Sequence, residues 1–285
     1  MILQEQEFEM LRNLIYEETG IMFDARKLPF VESRVAKRLP AVDCKNPREY
    51  YRHLHYHDPK RVEFQVFIES LTTNETYFFR EFPLLESFAN EVLPRVTDEK
   101  RRAGDYTLNV WSAGCSTGDE PYTLAIILRA CLDDFERWHI GLHATDIDSR
   151  VLDVAQSGVY TERAMKDVPP TYLRQYFRQR GSEYFVNDEI KDMVKFSQVN
   201  LVDRRAMRQF RGMDFIFCRN VLIYFDDASR RQVLSSLYDS LLPGGFVFLG
   251  HSESVGRISA AFEPVILANN LMYRRPIPRP SPEVR

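Results

Sequence analysis

Along residues 7–20 the apolar side chains Phe8, Leu11, Leu14 and Ile15 recur at three- and four-residue spacing, and Gly20 supplies a stop. The spacing predicts an amphipathic helix. The same reading predicts a helix over Phe30 to Leu39, one from Asn46-Pro47 through Tyr56, and one over Arg61 to Leu71. Asn46 suits the cap of the third, and Pro47 its first helical position. Four short helices without a strand pattern predict a compact helical domain. It leads into TTNETYFFREFPLLESFANEVLP and then the charged stretch Thr97–Gly104, where the domain boundary is expected. Residues 1–95 are accordingly read as a helical domain with its linker.

From Leu108 the pattern changes. In LNVWSAGCSTGDEPYTL, Leu108, Val110 and Trp111 suit a buried strand, Gly114 to Gly118 a loop that lets backbone approach a ligand, and the acidic, proline-marked stretch after it a helix start. A strand, loop and helix of this kind opens a nucleotide-binding half-sheet. The spacing GxxxG matches neither the dinucleotide fingerprint nor the phosphate loop, so a pyrophosphate or triphosphate ligand loses support. Gly141 to Asp148 reads as a second strand ending in acids, which completes a βαβ unit. A carboxylate at that strand end can accept two hydrogen bonds from ribose hydroxyls; Asp146 is the candidate, and Asp148 is expected to cap the helix through Ala155.

Residues 159–192 are too long for a simple crossover and read as a small inserted subdomain, with a helix-like PPTYLRQYFRQR and the alternating Glu183-Tyr-Phe-Val. Strands resume over Met193–Leu201 and Met213–Phe225, with Asn220 where the second should emerge from its carboxyl end. Ser229 to Leu242 reads as a helix closed by Pro243-Gly244-Gly245, Phe246 to Gly250 as a further strand, and Phe262 to Tyr273 as the last. The sheet domain is thus placed at 96–275, and the proline-rich 276–285 is expected to be disordered or extended.

Composition narrows the class. A chain of 285 residues with 44% apolar content can bury the cores of two modest domains. No apolar run approaches the roughly 20 residues that cross a bilayer, and MILQEQEFEM lacks a basic region followed by an apolar one. Cys44, Cys115, Cys131 and Cys218 are scattered without a CxxC pair, which fits a reducing compartment and a cytoplasmic protein. The net charge of −3 is unevenly spread: between Arg26 and Arg61 ten basic residues face four acidic ones. An acidic protein or nucleic acid would suit that segment, as would a plain solvated face. His53, His55 and His57 offer only one i, i+4 pair on a helix, and no metal is expected.

Several motifs now stand in order: LTTNETYFFRE, WSAGCSTGDEPYTLA, ATDID, QVNL, FCRNVLIYF and LPGGFVFLGHSES. Together, from about Phe8 to Tyr273, the chain resembles the CheR-type chemotaxis receptor methyltransferases. The resemblance implies an α/β class I fold, a Rossmann-like sheet that binds S-adenosyl-L-methionine, behind a small all-helical domain and with a small inserted antiparallel β-subdomain. It implies transfer of a methyl group to receptor glutamates, with S-adenosyl-L-homocysteine as product. By match to the family's cofactor pattern it assigns Asn74, Thr76 and Arg80 in the interdomain segment, Gly114 and Glu120 at the glycine loop, and Asp146 at the ribose. Asn200 and Leu201 fall along the adenine, Asn220 and Val221 at the methionine part, and Tyr224 at the transfer region, where Arg80 and Tyr224 are the catalytic candidates.

These residue types suit the reaction. A glutamate acceptor, with an unperturbed pKa of about 4.3, needs no general base. Arg80 can clamp the carboxylate of the cofactor or of the acceptor. Receptor methylation regions in the family are acidic helices, so Arg34, Lys37 and Arg38 are expected to dock them, with chemoreceptor cytoplasmic domains as partners, no nucleic acid, no membrane insertion and a monomeric enzyme. The sequence departs from the family in one place: members that tether to a receptor's C-terminal pentapeptide carry a longer glycine-containing loop, whereas RQRGSEYFV is short, which implies a tether-independent enzyme. Two other readings remain open: a methyltransferase for receptor-like proteins of a pilus or biofilm pathway, and a non-catalytic cofactor-binding scaffold.

Overall fold

The computed structural model describes residues 3–278 apart from 257, 258 and 260, so residues 279–285 of the expected tail lie outside the described residues. Helices α1 (Glu5–Thr19), α2 (Leu28–Arg38), α3 (Pro47–Arg52) and α4 (Val62–Leu71) form the N-terminal layer. Gln4 and Glu7 cap α1 reciprocally, and Gly20, at φ 70°, closes it through its N–H to the Tyr16 carbonyl. The buried face Phe8, Leu11, Leu14 and Ile15 joins Val31, Val35, Phe64 and Phe67 in one core. The third helix is shorter than its pattern suggested: after Arg52 the backbone widens into a π turn over His53–His57. Asp58 then stops it, because its carboxylate accepts from Val62 N at 2.9 Å and Phe64 N at 2.7 Å and so caps α4 instead. His55 stacks on Tyr51, and among the described residues no cluster of three acidic, His or Cys side chains is placed to hold a metal.

Helices α5 (Phe82–Ser87) and α6 (Leu93–Arg102), joined by a π turn, pack on the sheet. Phe88 between them sits edge-on to Phe215 and Phe217, with ring centroids 5.0 and 5.1 Å away. The charged stretch from Thr97 completes α6, where Lys100 pairs with Asp214 at 2.9 Å and Arg101 with Asp134 at 2.7 Å.

The strands are β1 (Thr107–Ala113), β2 (His139–Asp146), β3 (Val159–Thr161), β4 (Phe177–Arg180), β5 (Glu183–Val186), β6 (Val194–Gln198), β7 (Met213–Cys218), β8 (Leu241–Leu249), β9 (Glu263–Leu267) and β10 (Asn270–Arg274). Seven form one twisted sheet in the order β6-β2-β1-β7-β8-β10-β9, parallel through β8 and antiparallel beyond it. The crossover after β1 carries α7 (Asp119–Cys131) and that after β2 carries α8 (Ser149–Ser157). Strands β3, β5 and β4 make a separate antiparallel sheet, the expected inserted subdomain. The fold is thus the class I methyltransferase α/β architecture behind a helical layer.

Several elements of the sheet domain differ from their pattern: PPTYLRQYFRQR is helix only to Tyr176 and continues as β4, and the strand expected over Met193–Leu201 is confined to Val194–Gln198. The apolar run Met213–Phe225 is strand only to Cys218, because Asn220 turns left-handed at φ 60° and Leu222–Tyr224 coil into a 3-10 turn. The expected last strand is a hairpin, with Ala268 and Asn269 both at positive φ in the two-residue turn between β9 and β10. Strand β8 begins at Leu241, so Pro243-Gly244-Gly245 falls within it and the preceding helix ends at Ser240.

Candidate functional site

A cavity opens above the carboxyl ends of β1, β2 and β7, between the sheet and the helical layer. In open α/β sheets small-molecule sites lie at these strand ends. Its walls are apolar at Leu71, Ile147, Val199, Leu201, Val221 and Phe225. The helical layer closes one side: Met22 N donates to the Tyr224 carbonyl at 3.0 Å, and Asn200 Nδ2 donates to the Glu18 carbonyl at 2.7 Å.

Gly114 ends β1 at φ 84°, and a Cβ there would lie 2.3 Å from Val221 Cγ2, so only glycine lets the loop pass beneath that wall. Gly118, at φ 90°, serves packing: its added Cβ would meet Ala155 and the Tyr160 hydroxyl. The next amides reach toward β2, where Asp146 accepts from Ser116 N at 2.8 Å and Asp148 N at 3.0 Å. Burial pushes the Asp146 carboxyl above its ordinary pKa, and these N–H groups pull it back. Asp148 caps α8 as expected, through Arg150 N. Asn220 is held in its left-handed turn by Glu253, whose Oε2 accepts from both Asn220 N and Gly250 N at 2.7 Å.

Of the residues expected at the cofactor, Asn74, Arg80, Gly114, Asp146, Asn200, Leu201, Asn220 and Val221 line this one cavity, together with Tyr224. Thr76 instead lines a neighbouring groove beside the inserted sheet, with Thr117 and Arg163. Glu120 lies beneath the floor, where its carboxylate accepts from Ser112 Oγ at 2.6 Å and Arg219 Nη1 at 3.1 Å. Burial raises the Glu120 pKa, against the opposing pull of Arg219. Arg80 donates from Nη1 to the Glu75 carbonyl at 2.8 Å and lies over the Tyr77 ring. The Tyr224 hydroxyl donates to the Thr73 carbonyl at 3.1 Å, and burial raises its pKa, so it is a neutral phenol near pH 7.

The sequence reading missed Arg219, Ser116 and Glu75, which also line the cavity. Arg219 stands next to Asn220 in the FCRNV motif and was legible there as a candidate; Thr19 at the end of α1 and Ile21 just past its Gly20 cap carry no sequence signal of a site.

Of the three docking candidates, Arg34 and Lys37 line a surface groove next to the cavity, which shares Thr72 and Asn74 with it. Arg34 lies over the Phe30 ring, and its Nε is buried without a hydrogen-bond partner among the described residues. Arg38 edges the same groove, but Glu63 holds it with bonds of 2.9 and 2.5 Å, and Tyr50 donates to Glu63 as well.

Comparison with known proteins agrees with this geometry. Residues 6–72 match the family described as CheR methyltransferase, all-alpha domain, and residues 74–269 match CheR methyltransferase, SAM binding domain. Chemotaxis protein methyltransferase 2 of Vibrio cholerae is 38% identical over 277 residues, covering 97% of this chain and 95% of the relative. Chemotaxis protein methyltransferases of Escherichia coli and Borreliella burgdorferi are 35% and 32% identical, covering 92% and 88% of this chain and 89% of each relative.

Proposed function

This chain belongs to the CheR methyltransferase family and uses S-adenosyl-L-methionine, and from that premise we propose that it methylates glutamate side chains in the cytoplasmic domains of chemoreceptors. The observation that carries the proposal is the shared boundary of cavity and groove: Thr72 and Asn74 line both, so an acidic receptor segment held by Arg34 and Lys37 would adjoin the cofactor cavity.

When bound, S-adenosyl-L-methionine would be held by Asn74, Arg80, Asp146, Asn220 and Val221 and would supply an electrophilic methyl carbon on a sulfonium sulfur able to leave as a neutral thioether. The protein has no proton to remove from an ionised glutamate. Its residues act by placement. Asp146 and Asn220 are fixed by backbone N–H groups and by Glu253, so the polar lining is in place before a ligand arrives. Two opposite charges become neutral products, and the apolar walls favour that change by excluding water. Arg219 is engaged by Glu81 and Glu120, which leaves Arg80 as the cavity-lining cation for a carboxylate, that of the cofactor or that of the acceptor. Tyr224, a neutral phenol tied to Thr73, shapes the transfer region and serves as no base.

A protein without a membrane-length apolar helix among its described residues, acting on the cytoplasmic domains of receptors, is placed by this reading in the cytoplasm. The turn between β4 and β5 is only Gly181-Ser182, which supports recognition of the receptor body without a pentapeptide tether. The test compares kcat/KM for a panel of chemoreceptor cytoplasmic domains with that for receptor-like proteins of pilus pathways. Preference for a chemoreceptor is expected; preference for a pilus receptor would move the enzyme to that pathway, and no turnover on either would favour a cofactor-binding scaffold.

A further inference from the structure

Asn74 reaches the cavity from the interdomain segment, and what it can do there is decided by the residues behind it. Its Nδ2 donates to Thr72 Oγ1 at 3.1 Å and to Asp148 Oδ2 at 3.0 Å. Asp148 is fully buried, and Arg150 clamps it: backbone N and Nε donate to Oδ1 at 3.0 and 3.3 Å, and Nη2 to Oδ2 at 3.1 Å. Arg150 is itself paired with the buried Glu69 at 3.2 Å, which anchors the arrangement to α4 of the helical layer. A carboxylate can only accept hydrogen bonds, so the amide edge facing Asp148 is the NH2 edge. Thr72 Oγ1 also donates to Asp148 Oδ2 at 2.9 Å, so the two acceptors sit side by side and the NH2 edge faces both. Asn74 Oδ1 accepts from no described residue and is the group left for a ligand.

We propose that Asp148, clamped by Arg150, is a positioning residue that fixes Asn74 as a hydrogen-bond acceptor in the cavity, so that the site reads a donor group of the cofactor. Two donors of S-adenosyl-L-methionine have the required chemistry, the α-ammonium and the ribose hydroxyls. Replacing Asp148 by Asn keeps the helix cap, since an amide oxygen accepts from Arg150 N as well as a carboxylate does. It puts an NH2 group where Oδ2 stood, which gives up the bonds from Arg150 Nη2 and Thr72 Oγ1 and turns a donor toward Asn74. Asn74 must then turn its oxygen toward residue 148 and its NH2 toward the cavity, where it meets another donor.

The experiment is calorimetry of S-adenosyl-L-homocysteine and of methylthioadenosine, which has the same adenosine but no ammonium, with melting temperatures of the free proteins alongside. Asp148→Asn is expected to weaken S-adenosyl-L-homocysteine about tenfold. An equal loss for methylthioadenosine identifies the donor as the ribose; a loss confined to S-adenosyl-L-homocysteine identifies it as the ammonium. Combining Asp148→Asn with Asn74→Asp restores an acceptor, because the carboxylate introduced at position 74 takes one bond from residue 148 and offers its second oxygen to the ligand. That pair is expected to bind within about threefold of the original protein, a recovery that a merely structural role for Asp148 would not produce. If Asp148→Asn melts well below the original protein, Asn74→Leu carries the same reading with its own tenfold loss. Unchanged affinity in Asp148→Asn or in Asn74→Leu, or no recovery in a folded double variant, overturns the proposal.

Discussion

Glu120 faces Arg219 beneath the cavity floor, 3.1 Å from its Nη1. Arg219 in turn donates from Nη2 to the Arg80 carbonyl at 2.5 Å and pairs with Glu81 at 3.3 Å. The acid that follows the glycine loop therefore acts on the site through a second residue: it holds the guanidinium that holds the backbone of Arg80. Phe79 and Glu81 flank Arg80 at positive φ, so this stretch of chain needs such an anchor.

Glu120→Ala should leave a guanidinium only 3% exposed without its main counter-charge. A loss of about 3 kcal/mol in urea unfolding is expected, together with weaker binding of S-adenosyl-L-homocysteine. Full stability with weakened binding would instead place Glu120 in direct contact with the cofactor.

Asp119 begins α7 almost fully buried, and burial raises its pKa to about 6. A carboxyl raised in the folded state holds its proton more tightly there than in the unfolded chain. Its contribution to stability is complete below about pH 4 and is lost as pH rises through about 6. Asp119→Asn should accordingly melt higher than the original protein at pH 7.5, with the difference shrinking toward pH 4.5. A difference independent of pH would contradict the shift.

The three basic residues of α2 should separate. Arg34→Glu with Lys37→Glu is expected to raise KM for a receptor domain about tenfold at low salt, to lose most of that effect at high salt, and to leave cofactor binding unchanged. Arg38→Ala should cost stability first, because it leaves the Glu63 side chain, 8% exposed, with only Tyr50 as partner. A change in receptor KM without a change in melting temperature would make Arg38 a docking residue as well.

A receptor C-terminal pentapeptide titrated calorimetrically should give no measurable heat up to millimolar concentration. Micromolar binding would show that the short β4–β5 turn suffices for a tether.

Local features of this fold were legible in the sequence. The 3.6-residue spacing of Phe8 to Ile15, the glycine loop and the acid closing β2 are each set by residues near one another in the chain. What escaped depends on contacts distant in sequence. Nothing near Glu120 shows that it faces Arg219, 99 residues away. Arg38 reads as surface charge until Glu63 folds against it. The end of β7 at Cys218, inside an apolar run, is imposed by Glu253 gripping the amide of Asn220. Thr76 lines the groove beside the inserted sheet while its neighbours Asn74 and Glu75 line both groove and cavity, a difference of facing that the sequence does not carry.

The central claim is carboxyl methylation in this cavity, and the chemical stability of the product tests it most directly. Labelled S-adenosyl-L-methionine, the protein and a chemoreceptor cytoplasmic domain should yield label on the receptor that mild base releases as methanol, as a glutamate methyl ester requires. Label that survives base, as on a methylated amine, would contradict it.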